Sequence, residues 1–217
     1  VIKGVLARVV RARWYGVVIK DEREYEPVSY TGEEFKVAMD LLSKGEAGKA
    51  LSLAESLIES GDESKRLDGY LCRGMVYEDG GEGVCVDLDV ALDSYRRVSL
   101  IAPSSIAFSN LARVSMKLKD FSRAIRYLEI AGEFAITPEV ILGFALFHEE
   151  SSSFDGRAAK RLYLRAAING RFAGFFGYSR VARKLGERGR ALAVDCIRVL
   201  LGPVIAFFIG KKSQFQF

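Results

Sequence analysis

One histidine, three cysteines and four prolines in 217 residues remove whole classes of chemistry before any motif is read. His148, in LFHEE, has no second histidine four residues away, so a zinc-protease motif is excluded. A Ser-His-Asp or Cys-His site would have to use His148, and no nucleophile elbow accompanies it. Cys72, Cys85 and Cys196 are odd in number and lack CxxC spacing, which argues against a disulfide framework or a zinc site. Their apolar or helical surroundings predict buried thiols in a reducing compartment. The adjacent carboxylates Glu149 and Glu150 point in different directions on a helix, so a solvated helix end is expected there rather than an acid/base pair. Scarce proline and scattered glycine exclude low complexity. The first twenty residues do not form a signal peptide, because bases interrupt the apolar run and no small-residue cleavage site follows.

What is present is an ordinary globular composition, 49% apolar and 28% charged. The length suffices for a sizeable core, as one domain or one repeat array. Charge is unevenly placed. Residues 1–20 hold five bases and no acid, residues 21–100 nineteen acids against nine bases, and residues 151–217 thirteen bases against three acids. Two basic ends flank an acidic middle, which suits an anionic partner or a membrane surface, or else solvated helix faces.

From residue 31 the sequence falls into pairs of segments whose apolar residues recur at three- and four-residue steps, the pattern of amphipathic helices. EEFKVAMDLLSKG precedes AGKALSLAESLIESG, LDGYLCRGMVYED precedes LDVALDSYRRVSLI, and three further pairs follow. Thr137, Pro138 and Glu139 read as N-cap, first helical position and first-turn acid. The second segments align on Ala50, Ala91, Ala124 and Ala158, then on Ala54, Tyr95, Leu128 and Leu162, then on Leu57, Val98, Ala131 and Arg165, where Ala166 fits better. A small residue at such a place lets antiparallel helices approach to about 8–10 Å.

The stretch GGEGVCV interrupts the second pair. As a phosphate loop it lacks the preceding strand, the Lys and the Ser or Thr, and Glu78, Asp79, Glu82, Asp87 and Asp89 surround it. The acids do not keep calcium-loop spacing either. It reads as a long turn between two helices, the first ending near Asp79 and the second starting near Asp87.

At these residues the sequence resembles the Sel-like repeat proteins, relatives of the tetratricopeptide family. Gly74, Tyr77, Gly80, Gly83, Val84, Asp87, Ala91 and Tyr95 fall on the family pattern. A partial second copy starts at Leu142 and Gly143 and ends through Ala159, Tyr163, Ala166, Ala167 and Gly170. Between them, Phe108, Leu111, Ala112, Ala124, Leu128 and Ala131 resemble the plain tetratricopeptide pattern. The resemblance implies an all-α, right-handed α-solenoid of about five antiparallel helix pairs over residues 31–201. It implies protein binding as a scaffold or adaptor, with no catalytic residue and no cofactor to carry over.

First helices are expected to line the concave side, with Ser109, Arg113 and Lys117 facing a partner segment; the two cations would suit an acidic peptide or a C-terminal carboxylate. The termini carry a second expectation, a peripheral membrane regulator. In the segment 1–30, Lys3, Arg8, Arg11 and Trp14 follow an interfacial amphipathic pattern, though a strand or partner-binding arm fits as well. In the tail 202–217, Phe207, Phe208, Lys211 and Lys212 belong to an apolar run closed by two lysines. The twelve residues Val199 to Gly210 would rise about 18 Å as a helix, short of the ~30 Å hydrocarbon core, so the run either caps the last repeat or dips into a membrane. The location expected is cytoplasmic, with a place at the inner membrane face under the second reading. A third reading, RNA binding, draws on Phe172, Phe175, Phe176 and Tyr178 beside Arg171, Arg180, Arg183 and Lys184. No base-reading register repeats along the chain, so core aromatics beside a solvated basic face are expected and nucleic acid is disfavoured.

Overall fold

The computed structural model describes residues 32–169 and 171–209, with side chains as far as Leu200. Among the described residues there are ten α-helices and no strand: α1 (Glu33–Ser43), α2 (Ala47–Ile58), α3 (Glu63–Asp79), α4 (Leu88–Ile101), α5 (Ser105–Lys117), α6 (Phe121–Phe134), α7 (Pro138–Glu150), α8 (Gly156–Ile168), α9 (Ala173–Lys184) and α10 (Arg188–Ile209). Each odd-numbered helix packs on the even-numbered helix that follows, and each pair packs on the next. First helices also touch one another, α1 on α3, α5 on α7 and α7 on α9, whereas second helices barely meet. This is an α-solenoid whose first helices form the inner layer, as expected of amphipathic hairpins that bury their apolar flanks only by stacking.

The helix starts follow from local chemistry. Asp62, Asp87, Asp120 and Asp155 cap α3, α4, α6 and α8, and Ser104 and Thr137 cap α5 and α7, each side-chain oxygen accepting backbone N–H bonds of the first turn. Pro138 holds the first position of α7, where its missing N–H costs nothing. Turns within pairs close on a left-handed residue: Gly45, Gly186 and, unusually, Lys119 with φ of 62°. In the long turn after α3, Gly81 and Val84 exchange backbone hydrogen bonds of 2.9 and 3.0 Å, and the Asp87 N–H donates to the Tyr77 carbonyl at 2.8 Å. The loop is therefore a structured joint.

The small-residue register holds in four pairs, with one residue corrected. Ala50, Ala91 and Ala124 are fully buried, as are Ala54, Tyr95 and Leu128 four residues on. In α8 the buried set is Ala159, Tyr163 and Ala166, not Ala158, Leu162 and Arg165. Ala158 is only half-buried and Arg165 is exposed. The buried alanine stands four residues after the cap in every case, after Glu46, Asp87, Asp120 and Asp155, so Ala159 is the counterpart of Ala91. The cysteines divide as well. Cys72 is buried, and burial pushes its thiol up to about 12, but Cys85 and Cys196 are exposed. Cys85 sits in the joint and Cys196 on α10. In the RFAGFFGYSR stretch the aromatics divide: Tyr178 packs against the core around Tyr163, Phe172 and Phe175 are half-buried, and Phe176 is 44% exposed, with the Arg198 guanidinium 4.1 Å from its ring centre.

One close helix approach falls at Gly74 on α3. A Cβ there would lie 2.7 Å from the Tyr95 ring on α4. Gly74→Ala gains about 1 kcal/mol of helix propensity but forces the ring aside, at a cost of about 1–3 kcal/mol. Net destabilisation is expected, read as a lower urea midpoint with an unchanged slope.

Candidate binding groove

The inner layer is built around two buried glutamates, and both arise in the same way. Each sits next to last on a first helix, Glu78 on α3 and Glu149 on α7, with side chains 0% and 1% exposed. A tyrosine from the second helix of the same pair donates to it: Tyr95 Oη to Glu78 Oε2 at 2.9 Å, and Tyr163 Oη to Glu149 Oε2 at 2.6 Å. The first helix of the next pair supplies an arginine and, four residues on, a lysine. Arg113 Nη1 reaches Glu78 Oε1 at 2.5 Å and Lys117 Nζ lies 2.9 Å from the same oxygen. Arg180 grips Glu149 with both a 2.7 Å and a 2.6 Å bond, and Lys184 Nζ donates at 2.7 Å. Helical geometry explains the spacing: residues four apart share a face, so Arg and Lys point together at one carboxylate.

Burial alone would push the Glu149 carboxyl up. Hydrogen bonds from Arg180, Lys184 and Tyr163 outweigh that and hold it at about 2. Burial pushes the Tyr163 and Tyr95 phenols up, so both remain O–H donors. Each clamp sets two cations against one buried carboxylate. The cations stay half-exposed, Arg113 and Lys117 at 39% and 41%, Arg180 and Lys184 both at 49%.

The Glu149 result corrects the expectation of a solvated helix end. Glu150 is exposed and pairs with Lys119 at 3.3 Å, but Glu149 is buried, because α9 stacks over it. It also corrects the reading of Arg180 and Lys184 as a merely solvated basic face. The clamps went unread in the sequence, although Arg-x-x-x-Lys occurs at both 113–117 and 180–184 and a glutamate follows Tyr77 and His148 at matching places. Equivalence of Glu78 and Glu149 sets Ala145 opposite Gly74. Gly143, two residues earlier, instead packs on Leu128.

Between α7 and α9 the inner layer opens into a depression of about 330 Å³ lined by Leu142, Leu146, Tyr163, Phe176 and Gly177, with Arg180 at its edge. Among the residues expected to meet a partner, Arg113 and Lys117 lie in the first clamp. Ser109, one turn before Arg113, has its hydroxyl enclosed without a hydrogen-bond partner. Lys3, Arg8, Arg11, Trp14, Lys211 and Lys212 lie outside the described residues, and so do the side chains of Phe207 and Phe208, whose backbone is helical.

No family model matches the sequence, and no curated protein matches it. Solved structures do. A tetratricopeptide repeat protein from Parabacteroides merdae ATCC 43184 aligns over 82% of this chain and 68% of its own, with a TM-score of 0.59 and 16% identity. A crystal structure of MamA aligns over 73% of this chain and 90% of its own, with a TM-score of 0.51 and 15% identity. The fold is a tetratricopeptide-like helical repeat. Within this tetratricopeptide-like array, His148 packs edge-on to Phe147, and among the described residues no group of His, Cys, Asp and Glu is placed to hold a metal ion.

Two outcomes follow for the clamps. With its folded pKa depressed from 4.5 to about 2, Glu149 stabilises the fold above pH 4.5, and that contribution is lost as pH falls toward 2. Glu149→Gln should flatten the pH dependence of the urea midpoint across that window. Removing both Arg180 and Lys184 as alanines strands a buried charge and should cost about 3–5 kcal/mol. In a Glu149→Leu background the same pair of changes should cost far less.

Proposed function

We propose that the chain is a non-enzymatic adaptor that holds an acidic segment of a partner protein along its first-helix layer. The observation that carries this reading is the surplus of charge in the second clamp. The Glu149 carboxylate is met by two half-exposed cations, and that clamp borders an open apolar depression; in the first clamp Lys117 also pairs with Asp79. An apolar side chain of the partner fills the space between Leu142, Leu146 and Phe176, and an acidic group meets the unused donors of Arg180 and Lys184. Arg113 and Lys117 extend the same track on α5, whereas the enclosed Ser109 hydroxyl does not. Fold likeness to tetratricopeptide proteins supports a scaffold in general terms.

A second reading, docking at an anionic membrane face inside the cell, draws on one feature. Leu192, Val199 and Leu200 on α10 are 65%, 65% and 73% exposed. No helix among the described residues is long and apolar enough to cross a bilayer, so this would be surface binding.

Affinity capture from the native host, read by mass spectrometry, tests the first reading. Leu146→Asp and Phe176→Asp should each lower partner capture at least tenfold while the circular dichroism spectrum is kept. Capture that survives both changes sinks the groove reading. Pelleting with phosphatidylserine vesicles that depends on Leu192 and Val199 would favour the second.

A further inference from the structure

A second site lies away from the groove and shares no lining residue with it. Between α8 and the start of α10 an open cleft of about 700 Å³ is lined by Arg157, Lys160, Arg161, Tyr178, Glu187 and Arg190. That size is typical of a small-molecule site. Lys160 anchors it: its side chain is only 11% exposed, and Nζ lies 2.5 Å from Glu187 Oε2 and 5.9 Å from the Tyr178 ring centre. Arg190 meets the same carboxylate at 3.2 Å. The single acid of the cleft is therefore answered twice. Arg157 and Arg161, one turn apart on α8, are exposed and make no ion pair among the described residues. Four cations and one carboxylate line the cleft, and the Asp155 carboxylate at the start of α8 lies near enough to be lowered by Arg161.

The placement of these cations runs against local stability. Arg157 and Arg161 stand in the first two turns of α8, and Arg190 in the first turn of α10. Helix starts favour negative charge and disfavour positive charge, and like charges four apart repel. An anion between the two helices would relieve both costs at once. Guanidinium forks match phosphate oxygens two at a time, which a hydrated lysine surface does not do. Counting Asp155, the remaining excess of two positive charges suits a group carrying more than one negative charge, beyond what a lone carboxylate offers.

We infer that this cleft binds a compact multivalent phosphate anion, which ties the fourth helix pair to the fifth. The phosphate belongs to a free metabolite or to a lipid headgroup, and the cleft recognises the chemistry that the two share. Inorganic pyrophosphate is the simplest probe. At about ten times its Kd it should raise the Tm of the full chain by about 3–6 °C. Sodium chloride of equal ionic strength should not. Arg157→Gln with Arg161→Gln should abolish the shift, whereas Phe176→Asp in the groove should keep it, so failure here and failure of the adaptor reading are told apart. Vesicles with phosphatidic acid separate the sources: pelleting that pyrophosphate displaces assigns the headgroup, and a Tm shift without pelleting assigns the free anion. A shift equalled by chloride, retained in the double variant, or absent altogether overturns the inference, as does vesicle binding that pyrophosphate leaves untouched.

Discussion

A carboxylate removed from water must be met by opposite charge, and in this protein that requirement fixes how one helix pair sits on the next. Glu78 and Glu149 are each shut in by the tyrosine of their own pair and by the arginine and lysine of the following one. Apolar stacking alone tolerates sliding, because hydrophobic contact has no direction. A bidentate arginine does have direction, and so the clamps set the register between pairs. Buried ion pairs are weak devices for adding stability and better ones for specifying an arrangement.

The same geometry links architecture to recognition. In each clamp both cations reach the buried carboxylate and stay half in water, and around Glu149 they leave a net positive charge. The residues that align the solenoid therefore also charge its inner layer. The apolar depression exists because Gly177 carries no side chain where the Tyr163 ring presses on α9. Tyr163 is at once the donor to Glu149 and part of the floor of that depression. Binding in the groove and alignment of the fourth and fifth pairs are consequently coupled through one side chain.

Charge also divides the molecule along its length. Between residues 151 and 200 there are eleven bases and three acids. Much of this excess is committed: to Glu149, to Glu187, to Asp195 and, through Arg171, to Glu139. What remains is concentrated on the outer turns of α8. A count of charges along the chain cannot separate these two populations, since it knows nothing of which acid lies across a helix interface.

How much was legible without coordinates depends on the range of the interaction. The helices, their caps at Asp87 and Thr137, the joint at Gly80–Val84 and the small residues Ala50, Ala91 and Ala124 follow from spacing within a few residues, and local physics decides them. Ala159, Tyr163 and Ala166 follow in the same way once α8 is counted from its cap Asp155, and Ala158 does not. The clamps lay further beyond reach. Glu78 and Arg113 are 35 residues apart, Glu149 and Arg180 are 31, and nothing in the neighbourhood of Glu149 distinguishes a buried acid from the exposed Glu150 beside it. The sequence alone determined a stack of amphipathic hairpins; tertiary structure decided which charges meet, because desolvation is a property of the assembled interface and of no single segment.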